Sequence, residues 1–147
     1  ATASARRSSG GGWSPRSIRV TDEASAIASA ADLPEDFKGQ LVPRPISSVD
    51  TLVVHQTGVL GGFGAESAEA RRQRYRKTPY HVVYSPRDRA SHWQWPIWAW
   101  SYHGHCLNAK SIGWAYDGLL SEGSPSNALD VEGARESLRH AVARAAR

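Results

Sequence analysis

Residues 51–58, TLVVHQTG, put a histidine directly after an apolar run and directly before a turn. Leu52, Val53 and Val54 suit a pleated, packed surface, so the run predicts a short central strand. His55 then falls where the strand gives way to Thr57-Gly58. A strand end beside a turn is where a side chain can leave the core and face a cleft. Three readings of His55 stand at this point: a metal ligand, a general base, or a histidine satisfied by a backbone group.

Working outward, TDEASAIASAADL (21–33) predicts a short helix with Thr21 as N-cap and Asp22 and Glu23 in its first turn. The three prolines of PEDFKGQLVPRPISS (34–48) predict an extended connection. Beyond the strand, VLGGFG is a loop, and AESAEARRQRYRK (65–77) a helix acidic at its start and basic at its end. Its Arg71, Arg72, Arg74 and Arg76 form either a solvated face or a contact for an anionic partner. PYHVVYS (79–85) and ASHWQW (90–95), joined by the polar PRDR, predict a β-hairpin. KSIGWAYDG (110–118) is a further strand closed by Asp117-Gly118. From Ser126 onward the apolar positions Leu129, Ala134, Leu138, Val142 and Ala145 recur at helical spacing, with Ser126 or Asn127 as cap. Helix, strand, helix, hairpin, strand, helix is an α/β order: a central mixed β-sheet flanked by helices.

The chain has 147 residues, 40% of them hydrophobic and 22% charged, which suits one domain with one core. Residues 1–20, rich in Ser, Gly, Ala and Arg, read as a disordered or extended segment in which Trp13 is the large apolar residue. Residues 21–147 read as the folded domain. No stretch has the apolar length of a membrane span, and the start carries no apolar region of the signal-peptide kind. Lys and Arg exceed Asp and Glu by 18 to 14, a mildly basic balance compatible with nucleic acid, anionic lipid or bacterial cell wall. The single cysteine, Cys106, excludes an intrachain disulfide framework.

Chemistry concentrates in the middle of the chain, where His55, His81, His92, His103 and His105 lie; His140 stands apart on the last helix. None has a self-contained metal spacing such as HExxH. His103-x-His105 with Cys106 offers a transition-metal alternative, but neighbouring residues on one strand or loop rarely converge on one ion. Trp93, Trp95, Trp98, Trp100 and Tyr102 either wall a groove in which sugar rings stack or fill the core.

Taken in order, VDTLVVHQTG, TPYHVVYSPRDRASHWQW and SYHGHCLNAKSIGWAYDG resemble the zinc-dependent N-acetylmuramoyl-L-alanine amidases, the family of the small phage lysozyme-amidases and the peptidoglycan recognition proteins. The resemblance covers about residues 48 to 145. It places His55 on the first zinc ligand, Tyr80-His81 on a Tyr-His pair, His103 and Asn108 on a His-Ala-x-Gly-x-Asn loop, and Ser111-Ile112-Gly113 on the last strand. It implies an amidase-like fold, zinc as cofactor and bacterial peptidoglycan as partner, with nucleic acid not expected. It also implies an extracellular, cell-envelope or phage-associated setting, and hydrolysis of the muramoyl–L-alanine amide by zinc-bound water. Tyr80 would then assist catalysis, while His103 and Asn108 would contact substrate.

Two departures qualify this. The loop reads His103-Gly104-His105-Cys106 in place of His-Ala. The family's other two zinc ligands, a His and then a Cys or Asp, follow the C-terminal helix, and this sequence shows no candidates there. The domain is therefore expected to be C-terminally incomplete, with little or no turnover in this form. The alternative is a non-catalytic wall-binding or phage structural module of the same fold.

Overall fold

The computed structural model describes residues 17–64, 67–120 and 129–147; the expectations for residues 1–16, Trp13 included, and for a cap at Ser126 or Asn127 lie outside them. The β-branched and aromatic runs form the strands. In chain order these are β1 (Arg19–Asp22), β2 (Val42–Pro43), β3 (Thr51–Gln56), β4 (Val82–Ser85), β5 (Ala90–Trp93), β6 (Ala99–Trp100) and β7 (Ser111–Tyr116). Helix α1 (Ala68–Tyr75) starts at Ser67, whose side chain accepts the Ala70 N–H. Helix α2 (Val131–Ala145) starts at Asp130, which accepts the Gly133 N–H. Both are N-caps of the preferred type.

Five strands make one mixed sheet in the order β1-β5-β4-β7-β3, and β2 pairs with β6 in a separate two-stranded ribbon. The hairpin β4–β5 is antiparallel, whereas β3–β7, β4–β7 and β1–β5 run parallel. The expected α/β architecture with a mixed central sheet and helices is thus present.

Three expectations are corrected. Among the described residues TLVVHQ is an edge strand, paired with β7; the central position belongs to β4, and β7, whose six residues are all buried, lies between β4 and β3. Val54, 56% exposed, shows the difference. Residues 21–33 do not form one helix. Thr21 and Asp22 end β1, and two short 3₁₀ turns, Glu23–Ala26 and Ala30–Asp32, follow. The β-branched pair Val20-Thr21 finds a partner strand in β5, and a parallel ladder outweighs a weak local preference. The connection 34–48 likewise holds β2 and two 3₁₀ turns. Ile18 is a core residue and β1 begins at Arg19, so the fold is already under way before residue 21.

Strand alternation divides the sheet into two chemically different faces. Val82, Tyr84, Trp93, Ile112, Trp114 and Tyr116 pack on one, covered by α2 through Ala134, Leu138, Ala141 and Ala145. The buried Ser137 of α2 bonds to Ser91 and to the indole of Trp114, satisfying polar groups inside an apolar layer. Val83, Ala115 and Tyr75 form the core of the other face, under α1, with Phe63 and Tyr80 against them. A third cluster of Ile27, Leu33, Leu41, Trp95 and Ala99 anchors the connection before β3. Among the described residues no helix is long and apolar enough to cross a membrane.

Candidate functional site

The parallel register of β3 on β7 opposes His55 to Ala115 and Val53 to Gly113. His55 therefore stands on the α1 side of the sheet, with the small Ala115 beside it. Gly113 leaves a gap there that the His103 ring fills. A Cβ at residue 113 would come 2.7 Å from His103 Cγ, closer than real contacts allow. The third residue of Ser-Ile-Gly is small so that a loop histidine can pack directly against β7.

His55, Tyr80 and His103 come together. The rings of His55 and Tyr80 are 5.0 Å apart, those of His55 and His103 5.4 Å apart and edge-on. His55 Nε2 lies 3.2 Å from His103 Nδ1. His103 Nε2 lies 3.3 Å from both the carbonyl and the hydroxyl oxygen of Ser111. The Ser111 hydroxyl donates to the Leu107 carbonyl at 2.7 Å. Tyr80 is half-buried, and its hydroxyl donates only a long 3.4 Å bond to the Gln56 carbonyl.

His81 lies deeper, edge-on to His103 at 5.3 Å and fully buried. Gly113 N–H donates to its Nδ1 at 3.0 Å, so the ring proton sits on Nε2 and donates to the Ala99 carbonyl at 2.7 Å. Its role is to tie the start of β4 to β7 and to β6. The Arg44 guanidinium, also buried, lies beside it and donates to the Asn108 carbonyl at 2.6 Å and to the Ile97 carbonyl at 3.1 Å.

Burial holds these groups neutral. Desolvation lowers the His55 pKa, lowers His103 to about 4 and His81 to about 3, and raises the Tyr80 phenol. The site at neutral pH is an array of uncharged imidazoles and a protonated phenol. Burial also lowers the Arg44 guanidinium, to about 10, which leaves it a cation at neutral pH.

The remaining sequence candidates fall elsewhere. Asn108 is buried; its side-chain oxygen accepts the backbone N–H of His103 at 3.0 Å and of Gly104 at 2.6 Å, so it shapes the loop from within. His105 and Cys106 are exposed on the following turn, where His105 adopts a positive φ of 53°. His140 sits on α2, across the sheet from His55, with Nε2 3.8 Å from Glu136. His92 belongs to a separate buried cluster in which Arg71 pairs with Asp88 and Thr21 meets His92 Nδ1 at 2.7 Å. Of the aromatic run, Trp93 and Trp95 are core, and Trp98 packs against the third cluster. Trp100 is half-buried, with its ring 4.4 Å from that of the 64%-exposed Tyr102. On α1, Arg71, Arg72 and Arg76 are engaged by Asp88, Glu69 and Glu23.

Sequence reading did not single out Asp117. It is buried at the end of β7 and accepts from Thr57 Oγ1 at 3.0 Å, Phe63 N–H at 3.0 Å and Tyr75 Oη at 2.6 Å. It therefore fixes the turn that ends β3 just beyond His55. Its only sequence signal was the Asp-Gly pair, which reads as turn chemistry alone.

A hydrolytic zinc takes three protein donors and keeps one position open. Among the described residues no group of three His, Cys, Asp or Glu side chains could hold a metal. His55 offers one donor, while both nitrogens of His103 and of His81 face protein partners. These residues alone do not fit a resident zinc. Compared with protein-family models, with curated proteins and with solved structures, the chain matches none of them.

Proposed function

We propose that this chain is a peptidoglycan-directed domain of the N-acetylmuramoyl-L-alanine amidase type, acting at the cell envelope or with a phage. Its surface at the end of β3, beside Tyr80, receives the junction of muramic acid and peptide. The observation that carries the reading is the meeting of His55, Tyr80 and His103, which three distant segments of sequence bring onto one face of the sheet. The junction is an amide flanked by a sugar. A phenol O–H can donate to its carbonyl, and the exposed ring of Tyr102, backed by the half-buried Trp100, suits stacking on a sugar face.

The catalytic form of this function hydrolyses the muramoyl–L-alanine bond with zinc-bound water, and it needs two donors beyond His55. The single donor found among the described residues favours the second reading, a module that grips peptidoglycan without cutting it. Sedimentation with purified peptidoglycan tests the shared part. Binding weakened by Tyr80→Phe and by Tyr102→Ala is expected, and failure of the intact chain to co-sediment would reject the proposal. Release of L-alanine-terminated peptides, measured with zinc and with a chelator, separates the two readings. This 147-residue chain is expected to bind and to release little or nothing.

A further inference from the structure

Each hydrogen bond in the row Ser111–His103–His55 has a forced direction. The Ser111 hydroxyl proton goes to the Leu107 carbonyl, so His103 Nε2 meets two oxygen atoms that act as acceptors. His103 must carry its proton on Nε2 and present a lone pair at Nδ1. That lone pair lies 3.2 Å from His55 Nε2, which in turn must carry the proton. Among the described residues His55 Nδ1 keeps its lone pair and has no hydrogen-bond partner. The row is built from the inside outward, from a backbone carbonyl to an open nitrogen.

We infer that His103 is a positioning residue that fixes the tautomer and tilt of the partly exposed His55 and so leaves the His55 Nδ1 lone pair open to a bound molecule, and is not itself a contact for substrate. His103 is 8% exposed and lies on Gly113, where a side chain of any size would displace it. Neither nitrogen is free to meet a ligand. An imidazole whose far N–H is held by the protein is the arrangement that orients histidine ligands and hydrogen-bond acceptors generally. What reaches Nδ1 is an electron-pair acceptor, a metal cation or the N–H or O–H of a bound molecule. The row does not depend on the proposed function.

Imidazole ¹⁵N spectra of the intact chain at neutral pH test this. His55 and His103 should both show the Nε2–H form, with a scalar coupling across the hydrogen bond between His55 Nε2 and His103 Nδ1. His103→Phe should remove that coupling and broaden the His55 Nε2–H signal by solvent exchange. The His81 resonances, pinned by Ala99 and Gly113, report that the fold is kept. Ser111→Ala provides a second variant, expected to weaken the coupling while leaving His103 in place. A His55 that carries its proton on Nδ1, or an Nε2–H that persists unchanged in His103→Phe, would overturn the inference.

Discussion

Gly113 and Asn108 show how a motif can be legible while its cause is not. Ser-Ile-Gly and the loop asparagine stand out in the sequence as a pattern, but their reasons are contacts with His103, made from β7 and from within the loop. Gly113→Ala places a methyl group 2.7 Å from His103 Cγ. Crowding of that kind in a packed interior costs about 1–3 kcal/mol. Because β7 is paired on both sides, with β4 and with β3, the His103 ring must move. The expected outcome is a lower Tm together with loss of the His55–His103 coupling. Asn108 separates by acceptor chemistry. Asn108→Ala leaves the N–H groups of His103 and Gly104 without their side-chain acceptor, at a cost of about 1–3 kcal/mol. Asn108→Asp retains an oxygen there and should fall closer to the parent chain in urea denaturation.

At the level of elements, α2 was readable from its apolar spacing, and the hairpin from its polar turn between two β-rich runs. The strand β1 was not. Four residues with alternating character carry too little pattern, and what makes them a strand is the parallel partner β5, far along the chain. The edge position of β3 was hidden for a related reason: an apolar triplet looks the same whether one neighbour strand or two will cover it. Within α2, Gly133 looks like a defect, since glycine in a helix costs about 1 kcal/mol relative to alanine. It lies against the Tyr84 hydroxyl, which donates to Asp130 at 2.7 Å, and Asp130 also pairs with Arg89 at 2.9 Å. A methyl group at 133 would collide with that hydroxyl. Gly133→Ala should therefore destabilise in spite of the better helix propensity, because an overpacking cost of about 1–3 kcal/mol exceeds the gain. Calorimetry decides it; a rise in Tm would show that the Tyr84–Asp130 contact contributes little.

For the molecule as a whole, the histidines under α1 set its response to acid. Burial lowers His92 and His103 to about 4 and His81 to about 3. An unfolded histidine titrates near 6.5, so above that pH neither state holds the extra protons and these groups add no pH dependence. Between about 6.5 and 4 the unfolded chain takes up protons that the native chain refuses, and stability falls as pH falls. The slope approaches roughly 1.4 kcal/mol per pH unit for each such histidine. It levels off once the native groups protonate. Asp88 acts in a different window. Burial raises its pKa, but hydrogen bonds from Arg71 and Ser85 outweigh this and the net value is lowered, so its contribution is lost only below the ordinary 3.8. Urea unfolding at pH 7, 6, 5 and 4 should show the steeper loss between 6.5 and 4, and His92→Gln should reduce that slope by about one proton's worth. A flat profile across that range would mean these histidines are protonated in the native state.

The parallel pairing of β3 with β7 has a kinetic meaning. Thr51 meets Ser111 only after α1, the hairpin and the His103 loop have all been placed between them, and a parallel ladder cannot be closed by a short turn. Loop closure of that length slows folding, since its entropy must be overcome before the contacts form. The hairpin and α2 can form early from local contacts, but His55 docks beside Ala115 in the same event that zips the edge of the sheet. An assembly intermediate with its far edge still open would keep most of its secondary structure and have no site.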